Sequence, residues 1–320
     1  MKKVLVSGSI AYDLIMKFEG VFKDALLKKN LANLNVSFTG LDKKMFYGGC
    51  GANICYNFSL FKGLGISSML FGVAGKDFKE YGKKLSDDGV NVDLVGIDND
   101  GFTASAYVLT DNRENQLTIF SPGAMGNINV EKKLTDKILK ELDYAILSPD
   151  ICERTVRLAR KLKSAGVSWF FDPGQMTHAF KLEDLKYLTS NAFGLIANSY
   201  EIKLLCSKLK ISENILRKKF NVMIETLGEG GLNVYKKSGV KTHIQSVKPL
   251  KIIDPTGCGD AFRGGFLAGL TKGLSIEQSC KIGALTATYK IEKPGTQNHK
   301  FTLAEFRGRY KKAFKENCSI

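Results

Sequence analysis

Residues 254–265 read Asp-Pro-Thr-Gly-Cys-Gly-Asp-Ala-Phe-Arg-Gly-Gly, and a helix pattern begins near Asp260. A helix N-terminus presents unpaired backbone N–H groups and a partial positive charge. Glycine lets that backbone approach an anion closely. A phosphoryl group in transfer would find its charge met in such a turn. A carboxylate at its rim, here Asp260, could accept the proton of an attacking hydroxyl. Phosphoryl transfer otherwise needs mainly positioning and charge stabilisation. The same residues also suit an ordinary glycine-rich loop with Asp260 as a first-turn cap.

Three other stretches pair special backbone with polar side chains. YGGCGAN (47–53) leads into a helix pattern; glycine N–H groups and the Asn53 amide can bond the hydroxyls of a polyol. It also reads as a tight turn with Asn53 near a cap. Asn198-Ser-Tyr-Glu201 closes an apolar strand, and an Asn and a Glu three apart there can orient water around Mg²⁺ or simply cap a helix. Thr226-Leu-Gly-Glu-Gly-Gly231 closes another strand, as a turn near nucleotide phosphates or as a hairpin into LNVYKK.

These motifs must be positioned by the elements around them. Short apolar runs at 4–7, 68–73, 144–148, 167–171, 194–198 and 221–226 predict strands, the first within an N-terminal segment, 1–13, read as one strand. Amphipathic patterns at 52–62, 78–87, 153–164, 183–188 and 200–208 predict helices between them. Strands apolar on successive residues suit a parallel sheet covered on both faces. The alternation predicts a doubly wound α/β domain with a mainly parallel sheet flanked by helices. Residues 35–40 and 101–120 lack a helix pattern and predict a small accessory sheet, with a hairpin around 111–115. Helices are expected again at 261–270, 276–289 and 302–314.

The bulk numbers exclude several classes. The chain has 320 residues, 44% hydrophobic and 25% charged, ordinary for a globular protein with a sizeable core. No apolar run reaches the length of a membrane span, and Asp13 interrupts the N-terminal apolar stretch, against a signal peptide. The seven cysteines are scattered without a CxxC pair, which points to reduced thiols in the cytoplasm. The three histidines are far apart and form no zinc pattern. The net charge is +15 with lysine spread evenly; without a basic aromatic patch or helix-turn-helix this does not point to nucleic acid. No GxGxxG follows the first strand, which disfavours a dinucleotide-dependent dehydrogenase. A binding protein without catalysis stays open as a second class.

In combination the four motifs resemble the ribokinase-like (PfkB) family of carbohydrate and nucleoside kinases. GGCGAN followed by NFSLFKGLG is similar to the family's N-terminal glycine signature, and DPTGCGDAFRGGF to its C-terminal one. The resemblance spans essentially the whole chain. It implies a single kinase domain over 1–320, with a discontinuous β lid from roughly 14–46 and 100–122. It implies Asp260 as catalytic base and Gly257, Cys258 and Gly259 as the anion hole. Asn198 and Glu201 would support Mg²⁺; Asn198, Thr226, Gly228, Gly231 and Gly295 would serve ATP, the phosphoryl donor. Asp13 would hold sugar hydroxyls, with Gly49 and Asn53 beside it. The chain departs from the family's common DTTGAGD at Pro255 and Cys258, and Cys258 at a helix N-terminus is expected to have a lowered thiol pKa.

GSIAYD, VSFTG, SPGAM and PGTQ look most like the family's bacterial adenosine kinases. That branch implies phosphorylation of the adenosine 5′-hydroxyl to give AMP, a purine-salvage step. Ser9 and Ser37 would touch the substrate, Phe102 and Phe120 flank a purine, and DPGQMTHAF (172–180) reach the pocket. Ribose, fructose, inosine and guanosine are the alternative acceptors. K⁺ is a further candidate cofactor, and a homodimer through apolar residues of 36–41 a candidate assembly. No nucleic-acid or membrane partner is expected.

Overall fold

Successive side chains of a strand face opposite sides of its sheet, and here both sides are apolar. The computed structural model describes residues 2–26 and 37–320. The first elements are β1 (Lys2–Ser7), β2 (Ala11–Phe18), α1 (Phe22–Leu26), β3 (Gly40–Gly48) and α2 (Cys50–Ser59). There follow β4 (Ile66–Gly75), α3 (Lys79–Asp88), β5 (Val95–Asp98), β6 (Ala104–Thr110) and β7 (Gln116–Ser121). The middle holds α4 (Asp136–Lys140), β8 (Leu142–Leu147), α5 (Cys152–Ser164), β9 (Trp169–Phe171), α6 (Leu182–Asn191), β10 (Gly194–Asn198) and α7 (Ser199–Leu209). The chain closes with α8 (Glu213–Lys218), β11 (Val222–Thr226), β12 (Leu232–Lys236), β13 (Lys241–Ile244), α9 (Cys258–Thr271), α10 (Ile276–Ile291) and α11 (Leu303–Phe314).

The large sheet runs β13-β12-β11-β10-β9-β8-β1-β4-β5. Every pairing from β11 across to β5 is parallel, and β12 and β13 add an antiparallel edge. Val4, Val6, Ile146, Phe170 and Ile196 enter one core with α2, α9 and α10. Their neighbours Leu5, Leu147, Phe171 and Leu195 enter the other, with α5, α6 and α7. This is the doubly wound arrangement that the sequence predicts. In such sheets ligands bind outside the carboxyl ends of the strands.

A second sheet has the order β3-β2-β6-β7, with β2 and β6 parallel and the other pairs antiparallel. Its hairpin turns at Asp111, whose carboxylate accepts the N–H groups of Phe22, Arg113 and Asn115. The N-terminal segment is two strands, not one. β1 ends at Ser7, and β2 starts the second sheet at Ala11, ahead of the expected lid boundary. Gly8 between them lies so close to Ser148 and Gly51 that no side chain fits. The expected strand over 35–40 falls partly outside the described residues; 37–39 are not strand, and β3 begins at Gly40. The face proposed for dimer contact is described only from Ser37 on; Leu41 is exposed. Among the described residues no helix is long and apolar enough to cross a membrane, and all seven cysteines are free thiols.

Candidate active site

A cavity of about 870 Å³ opens at the carboxyl ends of the parallel strands, beneath the second sheet. Asp13 and Phe120 reach it from that sheet, Ser9 from the turn after β1, and Gly49 and Asn53 from the start of α2. Gly257, Gly259 and Asp260 reach it from the start of α9, and Asn198, Glu201, Thr226 and Gly228 from the ends of β10 and β11. Residues as distant in sequence as Ser9 and Thr296 thus share one chamber.

Each end of the chamber depends on a glycine. Gly49, at φ 90°, precedes α2, and a Cβ there would come within 2.5 Å of the Ser9 carbonyl oxygen. The tight packing lets the Ser9 hydroxyl accept the Cys50 N–H at 3.0 Å. Gly257 caps α9 at φ 75°, and a Cβ there would lie 2.7 Å from Thr296 Cγ2. No side chain caps α9, so the capping alternative for Asp260 does not hold. Asp260 Oδ2 instead accepts the Asn53 Nδ2 hydrogen at 2.9 Å.

That amide is oriented from behind. Gln297 Nε2 donates to Asn53 Oδ1 at 2.9 Å and to the Tyr81 hydroxyl at 2.6 Å. Asn53 therefore turns its NH₂ toward Asp260. Desolvation raises the Asp260 pKa, while the Asn53 hydrogen bond and the Arg263 charge pull it back. Arg263 itself is buried, donating to the Gly259 carbonyl at 3.0 Å and pairing with Asp172. Burial pushes the Asp172 carboxyl up to about 7 against that pairing. Asp13 is raised to about 6 by desolvation and by the charges of Asp260 and Asp254. Carboxyls lifted toward neutrality in a shared cleft are the pattern of proton-transfer sites.

At the other end Asn198 and Glu201 bond each other's backbone in a reciprocal cap of α7, and both line the cavity. The capping reading is thus realised by two residues that also line the cavity. Among the described residues no cluster of three His, Cys, Asp or Glu side chains could hold a metal ion by itself. Mg²⁺ bound mainly through phosphates and water needs only one or two carboxylates, and Glu201 with Asn198 fits that demand. Thr226-to-Gly231 likewise serves as the hairpin between β11 and β12 while Thr226 and Gly228 face the cavity.

Other expected residues stand elsewhere. Phe102 is outside the lining, 62% exposed, with the Lys76 ammonium 4.3 Å from its ring centroid. The loop carrying it packs Gly101 and Thr103 against Gly75, which turns the ring outward. Ser37 is exposed and away from the lining. Gly231 lies against the Ile244 carbonyl, and Gly295 donates its N–H to Asp254; neither lines the cavity. The Cys258 side chain does not line it either, and its N–H bonds the Pro255 carbonyl at 3.2 Å. The expected low thiol pKa is wrong, since burial pushes the Cys258 thiol up to about 11 and outweighs the helix terminus.

Segment 172–180 does reach the cavity, through Asp172, Gln175, Met176 and His178 among others. Arg263, Asp150 and Met125 also line it and are not singled out in sequence, although Arg263 sits within DPTGCGDAFRGGF and Met125 within SPGAM.

The chain matches the model of the pfkB family of carbohydrate kinases over residues 1–302. It is 28% identical over 308 residues to a nucleoside kinase of Methanocaldococcus jannaschii, covering 93% of each chain. The structure of Burkholderia thailandensis nucleoside kinase in complex with inosine superposes with a TM-score of 0.85 at 34% identity, covering 98% of this chain and 99% of that one. Similarity to the adenosine kinase of Saccharomyces cerevisiae, 31% identity, extends over 48% of each chain. With its fold, its two glycine turns and Asp260 at their meeting point, this chain belongs to the pfkB family of carbohydrate kinases.

Proposed function

We propose that the chain is a nucleoside kinase that transfers the γ-phosphoryl group of ATP to the 5′-hydroxyl of adenosine, releasing AMP and ADP. The observation that carries this reading is the Asn53–Asp260 contact, which joins the hydroxyl-binding turn to the anion-binding helix in one cavity. The nucleoside class is supported by the Burkholderia protein, solved with inosine and with ADP and inosine. Inosine is accordingly the second reading, with guanosine, ribose and fructose behind it.

Asp13, with Asn53, holds the ribose hydroxyls, and Phe120 and Met125 offer apolar wall to the base. Asp260 takes the proton of the 5′-hydroxyl as its oxygen attacks the γ-phosphorus. The bond from that phosphorus to the β–γ bridging oxygen breaks, and ADP leaves. The N–H groups of Gly257 and Gly259 face the charge on the transferring group, while that of Cys258 is engaged by the Pro255 carbonyl. Asn198 and Glu201 would hold Mg²⁺ through water, and the ion would supply charge neutralisation on the phosphates. The second sheet acts as a lid that keeps water from competing for the phosphoryl group.

ADP release from MgATP is the test, measured with adenosine, inosine, guanosine, ribose and fructose. Adenosine is expected to give the largest kcat/KM. Turnover confined to inosine and guanosine would replace the acceptor, and turnover confined to a sugar would end the nucleoside reading.

The raised Asp13 pKa predicts an acid limb. Asp13 accepts hydroxyl hydrogens best as a carboxylate, so kcat/KM should fall as pH drops through about 6. The charges of Asp260 and Asp254 add to the desolvation that raises Asp13, so the limb reports on the Asp13 carboxyl in those surroundings. Asp13→Asn removes the titrating carboxyl, so the limb near 6 should disappear from its profile. An unmoved limb in pH profiles of that variant would detach Asp13 from the site.

A further inference from the structure

Lys290, in the last turn of α10, has no exposed side-chain surface. Its ammonium donates to the Asp254 carbonyl at 2.6 Å and the Lys293 carbonyl at 3.3 Å, and lies 3.4 Å from Asp254 Oδ2. An ammonium taken out of water is costly unless its surroundings compensate. Here the compensation is a shell of two carbonyl oxygens and one carboxylate oxygen. Oxygen shells of this kind, dominated by main-chain carbonyls, are also how proteins replace the water around a monovalent metal ion.

The shell is part of the anion-hole approach. Asp254 Oδ1 accepts the Thr256 N–H at 2.9 Å, and Oδ2 accepts the Gly295 N–H at 2.8 Å. The Ile291 carbonyl, at the end of α10, accepts the N–H groups of both Ile253 and Asp254. Pro255 then takes the Cys258 N–H, and Gly257 starts α9. Segment 253–257 is thus hung from the C-terminal end of α10, where the carbonyls carry partial negative charge, with the Lys290 cation between them. Its charge is also felt by the thiol of Cys258.

We propose that the Lys290 ammonium is a built-in monovalent cation, which fixes residues 254–257 so that the anion-hole N–H groups face the transferring phosphoryl. The chain then works without K⁺ or another added monovalent metal ion at this place, because its own side chain fills the shell. Lys290 touches no reacting atom and is a positioning residue. The inference rests on the kinase reading but not on which acceptor is used.

The test uses the full chain in buffers with choline as the inert cation, at constant ionic strength. Wild-type kcat should stay flat across a KCl titration. Lys290→Ala should lose about 10–100-fold in kcat, toward the loss of an anion-hole donor, with the acceptor KM nearly unchanged. K⁺, NH₄⁺ or propylammonium should restore part of that loss in the variant, whereas choline should not. KCl should also raise the thermal midpoint of Lys290→Ala beyond that of the wild type, by occupying the vacated shell. This second readout needs no turnover, so a protein inactive on every acceptor would count against the kinase reading and leave the cation site tested.

Wild-type activation by K⁺ would overturn the proposal. So would a folded Lys290→Ala with wild-type kcat, or one whose loss and midpoint respond to no cation. If alanine prevents folding, Lys290→Gln keeps a donor on a side chain one atom shorter but not the charge, and the same kcat loss is expected from it. A Gln variant with wild-type kcat would show that charge is not needed.

Discussion

Asp260→Asn is expected to lower kcat by about 10²–10⁴-fold, the usual contribution of a positioned general base. Asparagine can still accept the Asn53 hydrogen through its own Oδ1, so the 2.9 Å contact and the shape of the cavity survive. What is lost is the capacity to take a proton. Nucleoside KM should therefore change little, which separates a chemical defect from a binding one. Steady-state ADP release with adenosine and inosine checks this. A variant within tenfold of wild type would remove Asp260 from the base role. The neighbouring acids give no ready substitute. Asp172 is tied to Arg263, and Asp13 belongs to the hydroxyl-binding end.

Gly257→Ala should cost kcat about 10²–10³-fold, comparable to removing one donor from an oxyanion hole. Two strains coincide at this position. A φ of 75° costs an alanine roughly 1–2 kcal/mol, and the new Cβ meets Thr296 Cγ2 at 2.7 Å. Either is relieved by moving the turn, and moving the turn misaims the N–H groups that face the phosphoryl. Thr296 is fixed because its hydroxyl donates to the Tyr47 carbonyl at 2.7 Å. Serine at 296 keeps that bond and deletes the methyl. The double variant Gly257→Ala/Thr296→Ser should then regain part of the lost kcat, leaving the backbone strain as the remainder. Wild-type kcat in Gly257→Ala would show that the turn tolerates a side chain and is not shaped for an anion.

Much of the site was readable because it lies in contiguous motifs. Gly257, Gly259 and Asp260 fall within a few residues of each other, as do Gly49 and Asn53. Their chemistry follows from residue type and from the start of a helix. Asn198 and Glu201 show where such reading stays open, because a cap and a metal-water site use the same two residues at the same spacing. In the structure the two residues cap α7 and line the cavity as well.

Phe102 and Cys258 show where local reading fails. An aromatic in a β-rich segment can fall on a strand or in the loop beside it; Phe120 on β7 faces the cavity, while Phe102 in the loop before β6 faces solvent. A thiol at a helix start gains from the terminus, but it loses more when the protein covers it. Neither outcome can be computed from neighbours in sequence.

The sequence by itself determined the alternation of strand and helix and the glycine turns, since periodicity and backbone freedom are local properties. Only the tertiary structure decided what stands behind them. Arg263 meets Asp172 from 91 positions away, and Gln297 orients Asn53 from 244 positions away. Lys290 reads in sequence as one more lysine among many in a basic chain. It becomes a buried cation only because α10 ends against the loop that begins at Asp254. Burial and long-range pairing are set by how the elements stack, and that information is spread over the whole chain.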